Sequence, residues 1–185
     1  MPFKKAIFLD RDGVINIDNG YTHTVSDFHF CEEIFTVCQH FQREGFLIIV
    51  VTNQSGIARG LYTADDFHTL TEWMVEEFRK RSITISKVYF CPHHPDFGPF
   101  DSRRCNCRKP KPGMLNAALI DFQLDPSKCI LIGDKESDIE AAQRAEIGTT
   151  ILIDSKSAVQ ERNTKADIRC KNLEELTRND TPINY

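Results

Sequence analysis

Phe8-Leu9-Asp10-Arg11-Asp12-Gly13-Val14-Ile15-Asn16 ends an apolar run in two carboxylates, two residues apart, and then turns at a glycine. In an extended chain, residues i and i+2 project to the same side, so Asp10 and Asp12 would face one reacting centre while Arg11 points away. Such a pair lets one carboxylate attack while its neighbour handles a proton. Asp and Gly also favour plain turns, so this fragment alone does not separate chemistry from a polar strand end.

Outward from this stretch, apolar runs of strand length recur at 6–9, 46–51, 85–90, 129–132 and 149–153. Most are continuous rather than alternating, which suits strands covered on both faces. Helical spacing separates them. Ile34, Val37, Cys38 and Phe41 recur at i, i+3, i+4 and i+7 before Gly45, and Thr63 with Asp66 resembles a cap ahead of the stripe Phe67, Leu70, Met74, Phe78. Pro112 in a first turn precedes Met114, Leu115, Ala118, Leu119 and Phe122, and a further helix is expected over 136–145, closed by Gly148. A final strand, a helix and a frayed end are expected in 156–185. The pattern predicts a single α/β domain over 1–185: a Rossmann-like, mainly parallel sheet with helices on both faces and right-handed crossovers. No stretch is long enough for a large cap domain. Ligands in such sheets bind beyond the carboxyl ends of the strands, where Asp10, Thr52 with Asn53, Cys91 and Asp134 all fall.

The 185 residues, 41% hydrophobic and 27% charged, suit one buried core, and no apolar run is long enough to span a bilayer. Met1-Pro2-Phe3-Lys4-Lys5-Ala6 has no secretory h-region, so a cytoplasmic location is expected. A net charge of -4 argues against a broad nucleic-acid footprint. The chain is expected to act as a monomer, with no nucleic-acid or membrane partner. Seven cysteines without an export signal point to metal ligation rather than a disulfide framework. Cys31, Cys38, Cys129 and Cys170 lie in apolar or mixed segments and read as small hydrophobes.

Thr52-Asn53-Gln54-Ser55-Gly56 offers hydroxyl, amide and backbone donors at a strand end, which could hold phosphate oxygens, although the segment alone reads equally as a polar loop capping the next helix. Gly133-Asp134-Lys135-Glu136-Ser137-Asp138 puts further carboxylates at another strand end, and Asp10 with Asp134 would suit Mg2+. Asp138, one turn on, would cap the helix or orient a metal-bound water. The connection 91–107 contains Cys91-Pro92-His93 and Cys105-Asn106-Cys107, three thiolates and an imidazole suited to a closed, structural Zn2+ site. His94 is the competing imidazole. This zinc-stapled loop would position Arg108 and Lys109, which follow it directly.

D-x-D-G, a strand-terminal Thr, a Lys and G-D-x-x-x-D occur here in the order found in the haloacid dehalogenase superfamily of phosphohydrolases, which the whole chain resembles. The resemblance implies that Asp10 is the nucleophile, forming an aspartyl-phosphate, and Asp12 the general acid/base. Thr52 and Lys109 would stabilise the phosphoryl group, and the Asp12 carbonyl would join the Asp10 and Asp134 side chains on Mg2+. Lys111 competes with Lys109, but Arg-Lys-Pro after Cys-x-Cys matches the zinc-loop subfamily, in which the first lysine has the role. That subfamily acts on small phosphorylated metabolites. The 11 residues from His94 to Arg104 favour its sugar-bisphosphate branch, and a place in lipopolysaccharide precursor synthesis, over its histidinol-phosphate branch. Substrate positions carried over are Asp18, Asn19, Gly20, Tyr21, Asn53, Gln54, Ser55, Arg108 and Lys135. Arg59 is either a contact for a distal phosphate or a solvated loop cation. Val14, Asn19 and Lys111 depart from some relatives and leave the anomer open. The rival class is a zinc-dependent binding module on an inactive scaffold, against which the intact Asp10 and Asp12 speak.

Overall fold

Strand β1 (Ala6–Leu9) is buried along its whole length because it is the central strand of the sheet. The computed structural model describes residues 4–31, 33–154 and 163–177. β1 pairs in parallel with β2 (Leu47–Asn53) on one side and with β4 (Ile130–Gly133) on the other. β3 (Ile85–Cys91) extends the first side, and β5 (Thr149–Ile153) and β6 (Ile168–Cys170) the second, giving the order β3-β2-β1-β4-β5-β6. Among the described residues every named strand joins this one sheet, and every named pairing is parallel.

The continuous apolar runs follow from cover on both faces. Ile7, Leu9, Ile48, Val50, Ile130 and Ile132 point to a core shared with α1 (Ile34–Arg43) and α3 (Ala64–Arg79). Their neighbours Ala6, Phe8, Ile49, Val51 and Leu131 meet α4 (Gly113–Phe122) and α5 (Glu136–Arg144) on the opposite side. Strand residues alternate between faces, so both alternating sets must be apolar. α3 is the longest helix at 16 residues, and the expected cap is present: Thr63 Oγ1 accepts from the Asp66 N–H and the Asp66 carboxylate accepts from the Thr63 N–H.

Three expectations need correction. Pro112 sits just before α4 rather than inside its first turn. α5 is not closed by Gly148. The chain reverses at Glu146, with φ +58°, and Gly148 instead lies against the Ser127 carbonyl, where a Cβ would not fit. The tail contains β6, but the helix after it is a 3-10 turn, Leu173–Thr177. Leu173 and Leu176 are both buried, and side chains at i and i+3 eclipse in a 3-10 helix, so this tighter winding brings both onto the core. The expected frayed end, 178–185, lies outside the described residues.

Candidate active site

The direction of the connections reverses between β1 and β4, leaving a crevice at their carboxyl ends. Asp10 follows β1 and Asp134 follows β4. The Asp10 N–H donates to the Ile132 carbonyl at 3.0 Å, which continues the β1–β4 ladder and holds the two acids side by side. Gly13 permits this closeness: it has φ +96°, and a Cβ there would collide with the Asp134 carboxylate.

Lys109 enters from the loop after β3 and is buried. Its Nζ lies 2.9 Å from Asp10 Oδ1 and 2.6 Å from Asp138 Oδ1, and donates to the Val51 carbonyl at 2.8 Å. Asn53 fixes the lysine's backbone, since its Oδ1 accepts from the Lys109 N–H and its Nδ2 donates to the Lys109 carbonyl, both at 3.1 Å. Burial works against the ammonium, but Asp10 and Asp138 outweigh it and hold the Lys109 pKa above its ordinary value. Burial also pushes the Asp10 carboxyl up to about 6; Lys109 pulls the other way, while Asp138 and Asp12 add to the rise. One ammonium thus serves two buried carboxylates, and Asp10 remains ionised at neutral pH. Asp138 also accepts from the Lys135 N–H at 3.1 Å, so it both caps α5 and anchors the lysine.

Arg11 does not point away into solvent or idle packing. It is 2% exposed and grips Asp12, with Nη2 at 2.9 Å from both carboxylate oxygens and also donating to the Thr22 carbonyl. Strand alternation misled here because the chain leaves β1 at Leu9, so Arg11 and Asp12 belong to a turn. Gln54 Nε2 donates to Asp12 Oδ2 at 3.0 Å and to Thr52 Oγ1 at 2.8 Å, joining the first and second strand ends.

A cavity of about 320 Å³ is lined by Asp10, Asp12, Asp18, Gly20, Tyr21, Asn53, Gln54, Ser55, Lys109 and Lys135. Tyr62, Ser137 and Asp138 complete the lining; the sequence reading gave Tyr62 and Ser137 no role, although Ser137 lies inside the G-D-x-x-x-D stretch. Lys135 pairs with Asp18 at 3.0 Å. Burial would raise the Asp18 carboxyl, but Lys135 and the Gly20 N–H win and lower it. Asn19 is absent from this lining. It faces a neighbouring cavity of about 840 Å³ with Ile17, Phe30 and Leu173, larger but without Asp10 or Lys109. Thr52 and Arg108 also lie outside the smaller cavity's lining. Arg108 Nη1 donates to the His93 carbonyl at 3.1 Å. Arg59 Nη2 is 2.9 Å from His94 Nε2, and its guanidinium covers the Phe97 ring at 4.3 Å.

One ligand atom from each of Cys91, His93, Cys105 and Cys107 falls within 4.8 Å of the others, and the same holds for Asp10, Asp134 and Asp138. The first set, soft and four-membered, fits zinc; the second, all oxygen, fits magnesium. His93 Nδ1 is 3.4 Å from Cys107 Sγ, whereas His94 turns to Arg59. Lys111 Nζ donates to the Cys105 carbonyl at 2.7 Å, so it braces the loop instead of entering the carboxylate cluster.

A family model described as HAD-hydrolase-like matches residues 106–176. A Campylobacter jejuni D-glycero-alpha-D-manno-heptose-1,7-bisphosphate 7-phosphatase is 48% identical over 82% of this chain and 84% of its own. An Escherichia coli D-glycero-beta-D-manno-heptose-1,7-bisphosphate 7-phosphatase is 42% identical over 92% of this chain and 91% of its own. The crystal structure of D,D-heptose 1,7-bisphosphate phosphatase from B. bronchiseptica, complexed with magnesium and phosphate, superposes with a TM-score of 0.79 at 26% identity, covering 92% of this chain and 94% of that one. Among the described residues no helix is long and apolar enough to cross a membrane. With this crevice, its acids and its buried lysine, the chain belongs to the haloacid dehalogenase-like hydrolases, in the family of heptose-1,7-bisphosphate 7-phosphatases.

Proposed function

We propose that the protein is a magnesium-dependent phosphoric monoester hydrolase that removes the 7-phosphate of D-glycero-D-manno-heptose 1,7-bisphosphate. The observation that carries this is the ion cluster in which Lys109 bridges Asp10 and Asp138, all three lining a small polar cavity, with Asp134 close to both acids. The Asp10 carboxylate attacks phosphorus and the bond to the sugar oxygen breaks. Asp12 delivers a proton to that oxygen, then takes one from the water that hydrolyses the aspartyl-phosphate, so both half-reactions use the same group. Lys109 and the Thr52 hydroxyl stabilise the charge on the transferred group. Asp10, Asp134 and the Asp12 carbonyl would hold magnesium, which neutralises the repulsion between carboxylate and phosphate. Zinc in the Cys91, His93, Cys105, Cys107 set would be structural, because four protein ligands leave no open position.

A bisphosphate is favoured over histidinol phosphate by the rim. Arg59 meets the His94 ring and Arg108 the His93 carbonyl, both their charges reach His94, and among the described residues neither has a carboxylate at ion-pair distance. Two cations without acids suit a second phosphate. The test offers both anomers of heptose 1,7-bisphosphate and histidinol phosphate in competition, with released phosphate measured. Preference for either heptose anomer, lost in Asp10→Asn, is the expected result; preference for histidinol phosphate would overturn the substrate, and no release from any phosphate ester would favour a binding module.

A further inference from the structure

The Gln54 side chain is engaged at both its nitrogen and its oxygen. Its Nε2 donates to Asp12 Oδ2 and Thr52 Oγ1, its Oε1 accepts from the Tyr62 hydroxyl at 2.6 Å, and the residue is 1% exposed. An amide nitrogen has two hydrogens, so both are used here. Tyr62 reaches Gln54 only because residue 56 is glycine; a Cβ at Gly56 would overlap the Tyr62 ring. On its other side Asp12 is held by Arg11 and by Asn16 Nδ2, which donates to Oδ1 at 3.0 Å. Arg11 is fixed in turn by the Thr22 carbonyl and lies 5.9 Å from the centres of the Phe28 and Phe67 rings.

We infer that Arg11, Gln54 and Tyr62 are positioning residues for proton transfer: they hold the Asp12 carboxyl in one place and tie it to the Thr52 hydroxyl, and Gln54 makes no contact with the sugar. This deepens the phosphatase reading and rests on it. Positioned proton transfer accounts for factors of about 10² to 10⁴ in rate, and only a leaving group that needs a proton should feel its loss. A sugar alkoxide needs one; p-nitrophenolate does not.

The decisive variant is Tyr62→Phe, which keeps the ring beneath Gly56 and removes only the hydroxyl; Arg11→Lys is its companion. The experiment measures first-turnover leaving-group release, with enzyme in excess, from heptose 1,7-bisphosphate and from p-nitrophenyl phosphate in the same magnesium buffer. Tyr62→Phe should slow sugar release about 10-fold and nitrophenolate release less than about 2-fold, with KM for the sugar unchanged. Arg11→Lys should show the same split, and larger. An equal loss on both substrates, or a raised KM with intact turnover, would overturn the inference. Wild-type protein inactive on both substrates would refute the phosphatase reading itself, a result separate from any variant's behaviour.

Discussion

Asp10→Asn should abolish turnover and yet make the magnesium-free protein more stable at neutral pH. The Asp10 carboxyl is raised from 3.8 to about 6, chiefly by burial, so keeping it ionised in the fold is unfavourable. Roughly two pKa units correspond to a penalty on the order of 3 kcal/mol, which a neutral amide of the same shape avoids. The sign follows from proton binding. Because the folded value is the higher one, the stability Asp10 contributes is fully present below the unfolded value of 3.8 and is lost as pH rises through about 6. Urea unfolding of both proteins, zinc retained and magnesium absent, should therefore give nearly equal stabilities below about pH 4 and a gap favouring Asn by about pH 7.5. Magnesium should then stabilise wild type more than the variant, because it binds the folded acid cluster. An Asn variant less stable at neutral pH, or a gap indifferent to pH, would refute the reasoning.

Lys109→Met leaves Asp10 and Asp138 facing each other without their shared cation, and should lower stability by about 3–5 kcal/mol in the same urea measurement, with phosphate release lost. Gly13→Ala pushes a methyl group into the Asp134 carboxylate at φ +96°, so magnesium titration of the phosphatase activity should shift its midpoint upward by about tenfold or more. Purified protein should contain about one zinc per chain by elemental analysis, and Cys107→Ser should lose it, lower the melting temperature and reduce activity through misplaced Arg108 and Lys109.

Legibility differed from residue to residue. Asp10 and Asp134 were legible because a carboxylate at the end of an apolar run must emerge at the sheet's rim whatever the loops do. The role of Lys109 over Lys111 came from motif resemblance, and the geometry now gives it a reason: Lys109 Nζ is between two carboxylates while Lys111 bonds a loop carbonyl. Asp138 was assigned capping or orientation, and it caps α5 while also pairing with the lysine. Asn53 and Gln54, carried over as substrate positions, have side-chain polar atoms committed to Lys109 and to Asp12, Thr52 and Tyr62. Tyr62 was given no role, since a lone tyrosine eight residues after Gln54 has no periodic or motif signal.

By itself the amino-acid order determined the wound parallel sheet and the chemistry at its rim, because strand burial and strand-end exposure are written in local hydrophobic pattern. It misplaced Arg11, and it left open the competition between two imidazoles for the three thiolates and which amides are free. Those depend on groups distant in the chain: Thr22 for Arg11, Cys107 for His93, Arg59 for His94. A buried polar group must find its partner wherever packing puts one, and only the folded chain specifies that meeting.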